Sequence, residues 1–231
     1  LCTMHTYKRP AWSKGEEAFI KRYIAPTGAT PDDFGNYWLT LGTASPIMWS
    51  CHTDTVHKTS GTQRVMLGDG CLTTDSGECL GADDTAGCWI MLQMIRAGVP
   101  GTYVFHRAEE IGGKGSEWIA EHTPERLNGL KFAIAFDRKG CEDIITDQYG
   151  NTASDEFARS LADALRPMDF HPSSKGIFTD TQNYAGMIPE CSNIAVGYFN
   201  AHQPTEFLLV NHVLRLAKAI IAADMSGLVA A

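Results

Sequence analysis

The 231-residue chain carries 44% hydrophobic, 20% charged and 10% aromatic side chains, the profile of a globular protein rather than of a disordered or fibrous one. Nineteen Lys and Arg stand against 27 Asp and Glu, a net charge of -8 spread along the chain, which argues against a nucleic-acid partner. No stretch approaches the ~18 uninterrupted apolar residues of a membrane span, so no membrane partner is expected. Residues 1–12 hold Lys8 and Arg9 with no apolar run behind them, unlike a secretory signal. The seven cysteines, Cys2, Cys51, Cys71, Cys79, Cys88, Cys141 and Cys191, are odd in number and form no CxxC pair. They fit reduced, mostly buried thiols and a cytoplasmic protein. At this length one core suffices, so residues 1–231 are expected to form a single domain.

In chain order, the apolar spacing predicts an amphipathic helix over 13–23, with Ala18, Phe19 and Tyr23 inward and Lys14, Glu16 and Lys21 outward. A pair of strands is expected at 36–42 and 46–51 across a Gly/Thr/Ala/Ser turn, and a hairpin over 65–74 turning at Gly68-Asp69-Gly70. A helix over 85–97 closes at Gly98, with Pro100 beyond. Next come a strand at 102–106, a short helix at 116–121, a nearly all-apolar strand at 131–136 and a helix at 155–165. A strand at 193–198 and a closing helix over 205–223 complete the series. The polar stretch 166–176 reads as a loop or lid. This alternation predicts an α/β fold with a mixed, mostly parallel central sheet flanked by helices on both faces.

Several of these strands run into acids or imidazoles. The run Pro46-Ile-Met-Trp-Ser leads to His52-Thr-Asp54, Tyr103-Val-Phe to Glu109-Glu110, Phe132-Ala-Ile-Ala-Phe to Asp137, and Ile194-Ala-Val-Gly-Tyr to His202. Asp83-Asp84 opens a helix, where the dipole stabilises carboxylate. Each alone has a plainer reading as a loop histidine, a turn or helix cap, or solvated surface. Packing gives no reason to end several buried strands this way, and ligands of open α/β sheets bind beyond the strands' carboxyl ends. Imidazoles and carboxylates without thiolate suit a divalent ion, zinc first, with cobalt or manganese as alternatives. Five ligands exceed the three of a mononuclear catalytic site, so two ions ~3.5–4 Å apart are expected. Glu109 could take a proton from water, and Asp54 could orient His52.

Taken in order, Asp33-Phe-Gly35-Asn36, His52-Thr-Asp54-Thr-Val, Gly81-Ala-Asp83-Asp84-Thr-Ala-Gly87, Glu109-Glu110-Ile-Gly-Gly-Lys-Gly-Ser116, Asp137, and His202 with Glu206 form a set. The chain thereby resembles the co-catalytic dizinc exopeptidases and deacylases, which include peptidase T, acetylornithine deacetylase, and the glutamyl and compact leucyl aminopeptidases. The resemblance implies that Asp83 bridges two ions and that its bond to Asp84 is cis. It implies Glu110 and His202 as ligands of one ion, His52 and Asp137 of the other, Glu109 as general base, and Asp54 as the acid orienting His52. The activity implied is hydrolysis of a terminal amide bond in a small peptide or N-acyl amino acid. The alternative is a metal- or peptide-binding module of the same fold without catalysis.

Only 31 positions separate His52 from Asp83, and 65 separate Asp137 from His202. Neither interval holds the inserted domain of the larger relatives, so the compact form is expected, with residues 166–180 at the rim of the cleft. For substrate, Arg138, Lys139 and Arg107 could fork a carboxylate. Asp180 could pair an ammonium, and Tyr149 or Tyr184 could donate to an oxyanion. The sequence leaves the oligomeric state open.

Overall fold

The computed structural model describes residues 1–43 and 45–230. The elements in chain order are β1 (Tyr7–Lys8), α1 (Lys14–Phe19), β2 (Thr30–Pro31), β3 (Tyr37–Leu41), β4 (Ile47–His52), β5 (Gly61–Thr62), β6 (Val65–Gly68) and β7 (Cys71–Thr74). They continue as α2 (Ala82–Ala97), β8 (Gly101–His106), α3 (Lys114–His122), β9 (Phe132–Arg138), β10 (Asp143–Ile145), α4 (Asp155–Ala164) and β11 (His171–Ser173). Last come β12 (Glu190–Ala195), β13 (Tyr198–Phe199), β14 (Phe207–Leu209) and α5 (Val210–Ala222).

The main sheet has the order β11-β10-β12-β9-β4-β8-β3-β2, and β13-β14-β7-β6 form a smaller one. The strands β8, β4, β9 and β12 at its centre run parallel, with antiparallel pairs toward the edges, as the alternation of elements predicts. Alternate residues of the central strands enter opposite cores. Ile47, Trp49, Tyr103, Phe105, Ile134 and Phe136 pack with residues of α2, α4 and α5. Met48, Val104 and Ala133 pack beneath Ile119 of α3. Helices therefore cover both faces, and among the described residues none is long and apolar enough to cross a membrane.

The hairpin β6–β7 turns at Asp69 and Gly70 with φ of 50° and 77°, the backbone an Asp-Gly pair favours in a two-residue turn. Four expectations change. The strands expected at 36–42 and 46–51 form, but β8 lies between them. The closing helix begins only at Val210, because Phe207 and Leu209 alternate into β14, where Phe207 stacks on Phe199 at 5.1 Å. Glu16 is not outward. It is fully buried, accepting from Arg107 Nη2 at 2.6 Å, Thr53 Oγ1 at 2.7 Å and the Trp12 N–H at 2.7 Å. The stretch 166–176 is not a free lid, since β11 within it pairs in parallel with β10 and finds backbone partners at the sheet edge.

Candidate metal centre

The parallel register of β4 and β9 sets His52 and Asp137 side by side at the carboxyl ends of the sheet. Asp83 reaches them from the mouth of α2, where Asp83 and Asp84 depart from helical angles and the peptide between them is cis. Asp84 Oδ1 accepts from the Gly87 N–H at 2.9 Å, and its Oδ2 from the His52 N–H at 3.2 Å. It therefore caps the helix and ties it to β4. At Gly87 an added Cβ would lie 2.3 Å from the Phe136 carbonyl oxygen and 2.5 Å from Asp84 Oδ2. A glycine is required there for α2 to approach β9 so closely.

Two clusters result. His52, Asp83 and Asp137 form one, and Asp83, Glu110 and His202 the other. His52 Nε2 lies 3.1 Å from Asp83 Oδ1 and 3.6 Å from Asp137 Oδ1. His202 Nε2 lies 3.2 Å from Asp83 Oδ2 and 3.1 Å from Glu110 Oε2. Ligand atoms of a tetrahedral ion with bonds of about 2.0–2.1 Å stand about 3.3–3.4 Å apart, the spacing found here. Glu110 Oε1 is buried with no hydrogen-bond partner among the described residues, an orphan that a cation would satisfy. Each cluster fits a divalent cation in donor chemistry and in spacing.

Further side chains hold these groups in place. Asp54, fully buried, accepts from the Glu109 and Glu110 N–H groups at 3.1 and 3.2 Å, while His52 Nδ1 lies 3.2 Å from the Asp54 carbonyl oxygen and 3.5 Å from its Oδ1. It thus sets both the imidazole and the Glu109-Glu110 turn, which follows Ala108 in the left-handed region. Glu206 accepts from the Gly81 and Asp83 N–H groups at 2.8 and 3.1 Å, so the His202-with-Glu206 pattern extends to a backbone clamp beneath Asp83. Asp137 is gripped by Thr179 Oγ1 at 2.6 Å and the Tyr198 hydroxyl at 3.1 Å, contacts that no sequence pattern marked. In Asp33-Phe-Gly-Asn it is the neighbour Asp32 that organises the turn. Its carboxylate accepts from the N–H groups of Phe34, Gly35 and Asn36 and from Trp38 Nε1. Asn36 in turn bridges Arg107 and Gly115 beside the Glu109-Glu110 turn.

The centre is crowded with negative charge. Burial, then the neighbouring Asp137, Asp180 and Asp83, push Glu109 well above the usual carboxylate range. Burial and Asp83 raise Glu110 to about 7. Hydrogen bonds to Asp83 and Glu110 lift His202 to about 11. Burial opposes protonation of His52, but Asp137, Asp54 and Asp83 outweigh it and raise the imidazole well above its ordinary value. Protons are thus drawn in to serve as the positive charge that the acids lack, the role a divalent ion fills.

The substrate-binding candidates fare differently. Arg138 and Lys139 line a cleft of about 250 Å³ together with Asp83, Glu109, Asp137 and His202. Asp180 is turned away from it, accepting from Ser116 Oγ at 2.6 Å and lying 3.3 Å from His106 Nδ1. Burial drives its carboxyl up to about 8, so it is unsuited to bind an ammonium. Tyr184 is fully buried against His106 Nε2 at 2.7 Å and offers no oxyanion donor. Tyr149 projects from a turn, 74% exposed, and does not line the cleft. Arg107 is consumed by Glu16. Of the expected rim 166–180, Ile177 and Phe178 line the cleft, whereas Arg166, Pro167 and Met168 lie against α5. A larger cleft of about 590 Å³ opens at the amino-terminal ends of β4 and β9, remote from these groups.

Residues 36–186, well over half of the chain, match the family description Peptidase family M28. The chain belongs to peptidase family M28. By family it is a metal-dependent peptide hydrolase, in keeping with the compact exopeptidase resemblance. Its fold is that of solved aminopeptidases. Aminopeptidase PepT from Bacillus cereus superposes with a TM-score of 0.75 at 16% identity, over 96% of this chain and 95% of that one. A tripeptidase from Staphylococcus aureus gives 0.76 at 13%, over 95% and 94%. The TET1 peptidase of Pyrococcus horikoshii, described as assembling into a tetrahedron or a large octahedral shell, gives 0.68 at 15%, over 92% and 95%. No functionally curated protein matches the chain in sequence.

Proposed function

We propose that the two clusters hold two divalent ions, zinc first with cobalt or manganese as alternatives, and that the chain is an exopeptidase of short peptides. The observation carrying this reading is Asp83, whose two carboxylate oxygens face two different imidazoles, as a bridging ligand requires. His52 and Asp137 would complete one site, Glu110 and His202 the other. The ions would supply Lewis-acid polarisation of the scissile carbonyl and water of lowered pKa.

Glu109 remains outside both clusters, with its Oε2 4.0 Å from His52 Nε2 and its carboxylate lining the cleft. It takes the proton of the attacking water and returns it to the leaving nitrogen. Asp54 fixes the tautomer and orientation of His52 and, through the Glu109 N–H, the position of the base itself.

Glu109→Gln keeps the shape and removes the proton acceptor. In zinc-loaded protein kcat should fall ~10²–10⁴-fold while metal content is unchanged; near-normal turnover would remove Glu109 from the role. A wild type that cleaves none of a panel of dipeptides, tripeptides and N-acyl amino acids would favour the binding-module reading instead.

A further inference from the structure

Charge in the cleft is unevenly committed. Its acids, Asp83, Glu109 and Asp137, all belong to the metal clusters or stand as the base, and among the described lining residues no other carboxylate remains to meet an ammonium. Of the two cations, Arg138 gives both Nη2 and Nε to Asp143 Oδ2, at 3.0 and 3.2 Å. Lys139 is exposed and has no ion pair among the described residues.

The backbone around Lys139 is nonetheless fixed. The Val196 N–H donates to the Arg138 carbonyl at 2.8 Å, the Gly140 N–H to the Tyr198 carbonyl at 2.9 Å, and the Gly197 N–H to the Gly140 carbonyl at 2.8 Å. A flexible ammonium therefore springs from a rigid base, two residues beyond Asp137. Ile145, Ile177 and Phe178 also line the cleft and are apolar, so among the described lining residues Lys139 is the cation left to meet an anion. At about 250 Å³ the cleft falls below the ~300–1,000 Å³ of sites for drug-sized ligands, so its occupant is small.

We propose that Lys139 determines specificity by pairing with a carboxylate of the substrate, making this a peptidase of short peptides that carry a negative charge near the scissile bond. The proposal rests on the exopeptidase reading above. Two sources offer the same chemistry: the C-terminal carboxylate of a di- or tripeptide, or an acidic side chain.

The test compares zinc-loaded wild type and Lys139→Met on two substrate pairs. One pair is a neutral dipeptide as free acid and as C-terminal amide; the other is an amidated dipeptide with Glu or Gln in first position. Binding of the same four peptides to Glu109→Gln is followed by calorimetry, a readout independent of turnover. Wild type should prefer the charged member of one pair by about tenfold in kcat/KM and in affinity, falling as salt rises. Lys139→Met should lose that preference. Preference within the first pair assigns the C-terminal carboxylate; preference within the second assigns the side chain. Equal treatment of both members in both pairs, or a preference that survives Lys139→Met, overturns the proposal. Wild type inert toward all four peptides overturns the exopeptidase reading itself.

Discussion

Replacing Thr179 by valine removes one hydroxyl from a nearly isosteric side chain that is 1% exposed. That hydroxyl donates to Asp137 Oδ2 at 2.6 Å, the length of a charge-assisted O–H···O⁻ bond. Hydrogen bonds to charged partners contribute about 1.5–3 kcal/mol, and 1.4 kcal/mol is a factor of ten in a binding constant. Zinc affinity at the His52–Asp137 cluster should therefore fall about 10–100-fold, the range typical when the support of a metal ligand is lost. The Glu110–His202 cluster, which Thr179 does not touch, should change far less. Competition titration against a chromophoric chelator resolves two such affinities, and Thr179→Ser, which keeps the donor, should restore the weaker one. Equal weakening of both sites, no change at either, or a serine variant as weak as the valine one would refute this account of Asp137.

Other consequences follow from the same geometry. His57 is buried between Thr55 Oγ1 at 2.7 Å and Gln63 Oε1 at 3.3 Å, and burial lowers its pKa to about 4. Below the unfolded value of 6.5 the unfolded chain binds a proton that the folded one refuses. Stability of metal-free protein should thus be lost as pH falls from 6.5 to 4, by about 1.4 kcal/mol per pH unit from this residue. Denaturant titrations of His57→Gln should show a correspondingly shallower acid limb, and an identical limb would exclude His57 as a contributor. In hydrogen exchange with a zinc-binding product analogue, the amides of 177–180 beside the cleft should gain protection. Those of β11, already paired with β10, should not, and a uniform gain across 166–180 would restore the lid expected from sequence.

The two ligand clusters were legible in the chain because buried strands that run into His52, Asp137 or, just beyond β8, the Glu109-Glu110 pair have no packing reason to do so. The mixed sheet was legible for a related reason: strands such as 131–136 are apolar on both faces, as only a strand covered from both sides can be. Direction was not legible. Asp180 and Tyr184 have the right chemistry at the right place in the order of motifs, yet both turn inward to His106, and Tyr149 turns out to solvent. Glu16 sits on the polar side of a helical wheel, but Arg107, 91 positions away, gives it a buried partner that helical spacing cannot register. Thr179 and Tyr198 reach Asp137 across 42 and 61 positions, contacts created by tertiary packing alone. Glu206 belongs to the ordered set of motifs, but its clamp on the Gly81 and Asp83 N–H groups spans more than 120 positions and is likewise a product of tertiary packing.

The bridging role of Asp83 is tested most directly by elemental analysis of zinc per chain after loading and desalting. Two ions per chain are expected in the wild type, about one in Asp137→Ala, and none in Asp83→Ala, because among the described residues only Asp83 belongs to both clusters. A wild type that saturates at one ion, or an Asp83→Ala variant that still holds two, would contradict the two-ion centre.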